Sequence, residues 1–431
     1  MLSAITAAVG VESMTLIIIA LTLVLFASDK LPVGLVAMIS SIVLGIMGCM
    51  PVSKVYSGWS SSLTIMVMGM IVVGDAMFQT GAVTMIGRTI MKSKFAQNER
   101  AVMAVIMLMA GTLSAFLSNT ATVAMFIPLI GSMVATSKGK LKNKNLLMPL
   151  GFAVSIGGTC TLIGSTSQPM VNSILEAQGL PLLSMFDFVP VAVPSFLALI
   201  LYMTTIGYKL EKKVLDFEDN VQEVDTSEVE NFKPTAKTWI AIGVMVFCVV
   251  GFVFNLWNTA IVAIIGASVV ILTGCVTFKG AFQRMDWNTV FIMAFAQGIA
   301  AAMNDSGAGE LVAKVVVDLV GNNLWLQMAG CVIVIAVLTN IMSNTATAAM
   351  MAPIYILIAA ELGAAPYAFM MAIAVASNLT AATPIGGTAV SMTLQGGYRF
   401  SDFLKIGTPI NLIWVLITVV LCPIVFGFAP A

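Results

Sequence analysis

A run of five residues, Ser-Asn-Thr-Ala-Thr, occurs twice in this chain, at 118–122 and at 343–347. With Ala124, Met125 and Pro128 set against Ala349, Met350 and Pro353, eight of eleven positions recur at an offset of 225 residues. Each copy lies in the middle of an apolar segment with no charge beside it, where an unpaired polar group costs several kcal/mol. The fold has to bring partners to both runs. One copy alone could be a Ser/Asn/Thr helix-packing contact, as membrane bundles use; two matched copies point to a site.

The 431 residues are 59% hydrophobic and 9% charged, with a mean hydropathy of +1.02. Soluble chains carry about 25% charged residues, so this is an all-α polytopic membrane protein. No stretch is long or polar enough for a separate soluble domain, and no basic n-region precedes the first apolar run, so a cleaved signal peptide is not expected. Six cysteines (Cys49, Cys160, Cys248, Cys275, Cys331, Cys422) stand singly in apolar segments without metal-ligand spacing. The chain has no histidine, which excludes His relays, His metal ligands and Ser-His or Cys-His catalysis.

Spans are expected near residues 14, 31, 59, 148 and 188, and again near 238, 258, 287, 366 and 403. Between the third and fourth of each set lies a segment interrupted by the Ser-Asn-Thr run. In the first, residues 101–136, each arm has about 17 residues, roughly 25 Å of helix, which is short for a hydrocarbon core of about 30 Å. That length favours a re-entrant hairpin, with two full crossings as the alternative. The next span is broken by Gly157-Gly158-Thr159-Cys160-Thr161 and by Gly164 to Pro169, a glycine and proline density that interrupts a helix.

The second half repeats the first in order. Gly48-Cys49 recurs as Gly274-Cys275, Trp59 as Trp287 and Gly81 as Gly307; Thr161, Ile163, Gly164, Thr166 and Met170 recur as Thr383, Ile385, Gly386, Thr388 and Met392; Asp187-Phe188 recurs as Asp402-Phe403 and Pro194 as Pro409. Five crossings and one hairpin per unit make two inverted repeats, because an odd number of crossings turns the second unit over. With both termini outside, 18 of the 20 Lys and Arg residues fall on the cytoplasmic side and only Lys54 and Lys314 fall outside. The basic cluster Arg88, Lys92, Lys94, Arg100, the run Lys138 to Lys144 and the polar linker 209–237 are then cytoplasmic.

Inversion brings the tips and broken helices together near the midplane. Ser and Asn favour N-caps, so the second arms are expected to start near Thr120 and Thr345, with free amides and the positive dipole end toward an anion. Ser114 and Thr339 lie one turn before Ser118 and Ser343; their hydroxyls, beside Asn119 or Asn344, suit sodium, one ion per hairpin. The plainer alternative is that both hydroxyls bond back to the carbonyl four residues earlier. Asp75, Asp305 and Glu310 read as interfacial caps or arm contacts rather than proton carriers, and the 31 methionines as packing.

Over nearly its whole length, and on the paired Ser-Asn-Thr runs, Gly157-Gly158-Thr159 and Thr383-Pro384, the chain resembles the divalent anion/sodium symporter family, which includes sodium-coupled dicarboxylate and citrate transporters. The resemblance implies no enzyme activity but a homodimeric secondary transporter of elevator type, with scaffold spans at 1–100 and 238–323. Its transport-domain pieces are at 101–176 and 324–396, with a span and cytoplasmic linker at 177–237 and a last span at 397–431. One sodium ion would be held by Ser114, Ser118, Asn119 and Gly158, and another by Thr339, Met342, Asn344 and Ala382, giving two or more ions per protomer. The anion would meet Asn119, Thr120, Thr159, Asn344, Thr345, Thr383 and Pro384.

The expected partners are a small anionic substrate, membrane lipid and a second copy of the chain in the cell membrane, not nucleic acid. Where many relatives have Thr-Pro-Pro-Asn, this chain reads Thr383-Pro384-Ile385-Gly386, so the anion is left open among C4-dicarboxylate, citrate and sulfate, and coupling between sodium symport and sodium-independent exchange.

Overall fold

The computed structural model describes residues 10–28, 30–82, 85, 98–137, 139–219 and 233–429. Arg88, Lys92, Lys94, Lys138 and linker residues 220–232 lie outside the described residues. The described part is helical throughout, with no strand. In chain order the helices are α1 (Val11–Ser28), α2 (Val33–Ile46), α3 (Ser62–Gln79), α4 (Glu99–Ser114), α5 (Asn119–Thr136), α6 (Leu147–Gly157), α7 (Ser167–Ala177) and α8 (Val189–Val214, with a π-helical turn at Met203–Gly207). They continue as α9 (Ala236–Val253), α10 (Thr259–Leu272), α11 (Phe278–Gln283), α12 (Trp287–Asp305), α13 (Ala308–Val320), α14 (Leu324–Thr339), α15 (Asn344–Glu361), α16 (Tyr367–Ala376), α17 (Thr388–Met392) and α18 (Phe400–Phe426).

Among the described residues five helices are long and apolar enough to cross a membrane: α1, α3, α8, α9 and α18. The expected spans near 31 and 258 are the 14-residue helices α2 and α10, and those near 148 and 366 are the broken pairs α6/α7 and α16/α17. Two further breaks follow the third span of the second half. Gly307, at φ 77°, separates α12 from α13, and α13 meets α14 at 111° across residues 321–323.

Corresponding elements pack reciprocally. Helix α2 lies against α12 while α3 lies against α10; α15 lies against α7 while α5 lies against α17; and α8 meets α18. Backbone conformations pair in the same way. Gly48 and Gly274, each closing a helix, have φ of 75° and 70°, a left-handed turn that a side chain rarely adopts. Ion pairs mark the relative direction of the two third spans. Lys54, before α3, pairs with Asp305 at the end of α12 at 2.9 Å, and Arg284, before α12, pairs with Asp75 near the end of α3 at 2.9 Å. Helices α3 and α12 therefore run antiparallel, and both acids are structural ion-pair partners.

Large apolar side chains such as Leu21, Val24, Leu201 and Leu272 are exposed on the outside of the bundle, the arrangement expected where lipid is the solvent. Phe126, Phe152, Phe369 and Trp414 are among the large side chains wholly buried in the core.

Candidate functional site

Both Ser-Asn-Thr runs lie at turns between two helices, α4 and α5 in one unit and α14 and α15 in the other, the places expected to be the tips. Ser118 caps α5 by accepting the Ala121 amide at 3.4 Å, and Ser343 caps α15 by accepting the Ala346 amide at 3.3 Å. One turn on, Thr122 donates to Ser118 O at 3.0 Å and Thr347 to Ser343 O at 3.1 Å. Pro128 and Pro353 occupy matching places inside the two second arms.

The hydroxyls before the tips do not bond back along their own helices. Ser114, fully buried, donates to Asn119 Oδ1 at 2.5 Å; Thr339, fully buried, donates to Asn344 Oδ1 at 3.0 Å and also meets Ser377 O. The broken helices close on the same turns. Thr161 donates to Ala115 O, and its repeat mate Thr383 donates to Asn340 O at 2.7 Å. A Cβ on Gly164 would lie 2.7 Å from Ser114 O, and one on Gly386 would lie 1.7 Å from Thr339 O. Only glycine permits this approach.

Contacts between the units are reciprocal as well. Thr120 lies 3.0 Å from Thr388, hydroxyl to hydroxyl, and their repeat mates Thr345 and Thr166 are in hydrogen-bond contact. Beneath them runs a polar chain. Asn344 Nδ2 donates to Asn378 Oδ1 at 3.1 Å, the Ser165 hydroxyl lies 2.9 Å from Asn378 Oδ1 and 2.6 Å from Gln168 Oε1, and Gln168 Nε2 donates to Gly158 O at 3.3 Å. Gly158 in turn is pressed against Asn119, a Cβ there falling 2.4 Å from Asn119 Oδ1. The two half-buried asparagines are thus joined through a polar chain in which Gln168 and Asn378 are wholly buried, and their mutual bonds repay the cost of that burial.

Asn344 occupies the most oxygen-rich place. Thr339 Oγ1, Ser377 O and Gly386 O each lie 3.0 Å from one end of its amide. Hydrogen bonding favours Nδ2 at that end, donating to both carbonyls and to Thr339 Oγ1; with the amide turned so that Oδ1 faces them, four oxygens would share the single proton of Thr339, a set that a hard cation would complete. The donor chemistry therefore fits sodium. No group of three or more Cys, Asp or Glu side chains among the described residues could hold a transition metal.

Of the sequence-predicted residues, Ser114, Asn119 and Gly158 gather at one tip and Thr339 and Asn344 at the other, while Thr120 and Thr345 face the opposite broken helix. Ser118 spends its hydroxyl on the cap, and Thr159 turns its hydroxyl to Ile156 O at 2.6 Å. The oxygens around Asn344 come from Thr339, Ser377 and Gly386; Met342 is buried at the tip, and Ala382, half-buried with Pro384 O beside Ser391, belongs to the break. Sequence reasoning did not assign Ser165, Gln168, Ser377 and Asn378, nor the hydroxyls of Thr166 and Thr388. A signal existed for the last two in their repeat pairing.

Nearby, Tyr398 donates to Lys144 O at 2.8 Å and accepts from the Met148 amide at 2.9 Å, tying the loop before α18 to the start of α6. Burial holds its hydroxyl well above the ordinary tyrosine pKa, so it stays protonated as a donor.

Oxygen clusters at two matched turns between apolar helices suit a multi-pass membrane transporter, and the family and relatives this chain matches are transporters. Comparison with known proteins agrees. The chain belongs to the citrate transporter family, whose profile matches residues 23–257 and 249–430, a family related to the divalent anion/sodium symporters. It is 24% identical to the sodium-dependent dicarboxylate transporter SdcS of Staphylococcus aureus, over 93% of this chain and 84% of that protein. It is 28% identical to an uncharacterized transporter of Haemophilus influenzae, over 72% and 70% respectively. Among solved structures it resembles MtrF of Neisseria gonorrhoeae, described with a class of antimetabolite efflux pumps, with a TM-score of 0.63 over 98% of this chain and 97% of that one at 15% identity. It also resembles the YdaH transporter of Alcanivorax borkumensis, with a TM-score of 0.56 over 90% and 88% at 14% identity.

Proposed function

We propose that this chain is a sodium-coupled symporter of a small divalent organic anion, such as a C4-dicarboxylate, working by alternating access of elevator type. The observation that carries the reading is the Asn344 oxygen cluster, matched at the other tip by Ser114 against Asn119. Sodium binds there first, held by Ser114, Asn119 and the Gly158 carbonyl at one tip and by Thr339, Asn344, Ser377 O and Gly386 O at the other. Those charges lower the repulsion an anion meets between the tips. The first-turn amides of α5 and α15 then take its carboxylates, with Thr120 and Thr345 orienting them.

The two halves are read as inverted repeats, supported by the antiparallel α3 and α12 and by the reciprocal contacts. In this reading the hairpins and broken helices move together against a scaffold of α1–α3 and α9–α12, in a homodimer in the cell membrane with both termini outside. The sodium-dependent dicarboxylate transporter of Staphylococcus supports sodium and dicarboxylate, and membership of the citrate transporter family supports citrate as the alternative cargo.

The test is uptake by right-side-out proteoliposomes under an inward sodium gradient. Succinate and citrate uptake should collapse when external sodium is replaced by choline. Undiminished uptake in choline, driven by internal substrate, would make the chain an exchanger.

A further inference from the structure

At the base of the first hairpin, away from the tips, lies a cavity of about 860 Å³, within the usual size range of small-molecule sites. Three elements wall it: the start of α4 (Asn98, Glu99), the loop after α5 (Lys140, Lys142, Lys144) and the end of α8 (Tyr208, Lys212). Four ammonium groups thus face one carboxylate, and the geometry separates those already engaged from those that are not.

Glu99 is fully committed. It accepts from the Lys142 amide at 2.9 Å, from Asn145 Nδ2 at 3.0 Å and from the Tyr208 hydroxyl at 2.6 Å. Lys144 is committed too, its ammonium on Leu215 O at 3.0 Å and on Phe217 O, while its amide meets Asp219. What remains is Lys140, Lys142 and Lys212, none of which has a carboxylate within ion-pair distance among the described residues; Lys212 stands 4.4 Å over the Tyr208 ring, with Arg100 4.6 Å from the same ring. Three like charges converging on one cavity repel one another, and an anion filling it removes that repulsion. Walls that carry this many ammonium groups favour a compact, highly charged anion, and lysines grip phosphate as point charges.

We infer that this cavity is a binding site for a phosphate-bearing anion, separate from the transported anion's site. Two sources share that chemistry: a free phosphate ester or the headgroup of an anionic phospholipid. The second is compatible with the outer face of α8, where Leu197, Leu201 and Ile206 stand exposed along the helix that leads to Tyr208 and Lys212, the layout of a lipid with its headgroup at a basic membrane edge. Either ligand would span the base of α4, the loop after α5 and α8, adding to the links that Glu99, Arg100 and Lys144 already make.

The experiment compares the full-length parent with the triple variant Lys140→Gln, Lys142→Gln, Lys212→Gln, with monodispersity and far-UV circular dichroism as folding controls. In one arm, delipidated protein is mixed with phosphatidylglycerol or phosphatidylcholine, and native mass spectrometry counts the lipid retained. In the other, inorganic phosphate or glycerol 3-phosphate is titrated while the unfolding temperature is followed. The parent should retain phosphatidylglycerol, or respond to phosphate, at least about tenfold more strongly than the variant, given the pull of each basic residue on an anionic headgroup. Phosphatidylcholine should not discriminate. A difference confined to the lipid arm assigns the headgroup, and one confined to the soluble arm assigns a free phosphate ester.

Equal responses of parent and variant in both arms would overturn the site, and any lysine-independent phosphate response would then belong to the tips. If the triple variant fails the folding controls, Lys140→Gln with Lys142→Gln and a salt titration of the parent replace it. A response unmoved by both changes would equally overturn the proposal, because exposed ammonium-phosphate attraction is screened by salt.

Discussion

The Thr120 hydroxyl meets the Thr388 hydroxyl at 3.0 Å across 268 residues of chain. The same contact is made a second time by the residues that repeat them, Thr345 and Thr166. Reciprocal contacts of this kind are what the proposed two-fold relation between the halves would produce. Here it places each tip against the broken helix of the opposite unit, so anything bound between the tips is held by both halves of the chain.

If that relation is functional, Thr388→Val and Thr166→Val should act alike. Valine keeps the shape and removes one hydrogen bond, worth about 0.5–1.5 kcal/mol. Each variant should weaken substrate binding by about threefold to tenfold in radiolabelled binding to proteoliposomes. An effect of one with none of the other would argue against equivalent half-sites.

Sodium binding tests the asparagines directly. The parent should gain thermal stability on adding sodium, and Asn344→Ala and Asn119→Ala should each lose much of that gain. Thr339→Ser keeps the hydroxyl on Asn344 Oδ1 and Ser377 O and should respond like the parent, whereas Thr339→Val should not. Equal sodium shifts in all four variants would remove the tips from cation binding.

Gly386 and Gly164 should be intolerant of alanine for a backbone reason. Their added Cβ atoms would fall 1.7 Å and 2.3 Å from the nearest carbonyl oxygens, those of Thr339 and Gly158, so neither neighbour can step aside as a side-chain tip could. The cost should reach or exceed the roughly 1–3 kcal/mol of an overpacked core, read as a lower unfolding temperature or loss of monodisperse protein. Gly74 is the control: it is helical and nothing lies within 4 Å of its Cβ position. Gly74→Ala should be neutral or gain up to about 1 kcal/mol in helix propensity. A tolerant Gly386 would show that the break can open without disturbing the tip.

Much of this was legible because duplication converts weak local signals into paired ones. Ser114 and Thr339 could be matched before any contact was known, and the capping serines follow from residue type alone. Which way a hydroxyl turns in a broken helix was not legible. Thr159 bonds its own helix at Ile156, whereas Thr161 crosses to Ala115, and nothing in Thr-Cys-Thr distinguishes them. Ser377 and Asn378 escaped notice for a related reason. Their partners, Thr339, Asn344 and Ser165, lie on three other segments, and only the closed fold brings those segments to one place.

The elevator reading makes its sharpest demand on α7, which belongs to the proposed moving body yet is bonded to the scaffold. Gln297 Nε2 of α12 donates to Ser173 Oγ at 2.7 Å and to Ser173 O at 3.1 Å; Asn304 Nδ2 donates to Gln178 Oε1 at 2.6 Å; and Ser61, capping α3, donates to Glu176 at 2.5 Å. If α7 slides past α12 during transport, all three links must break in each cycle. Replacing Asn304 and Gln178 with cysteine and joining them by a short cleavable bifunctional thiol reagent should stop uptake while leaving the sodium-induced thermal shift intact, and cleaving the reagent should restore uptake. The parent treated in parallel controls for the native thiols, of which five are buried and Cys160 is half-buried. Undiminished uptake by the cross-linked protein would mean that α7 stays with α12 throughout, and transport would then have to proceed by opening the hairpin tips alone.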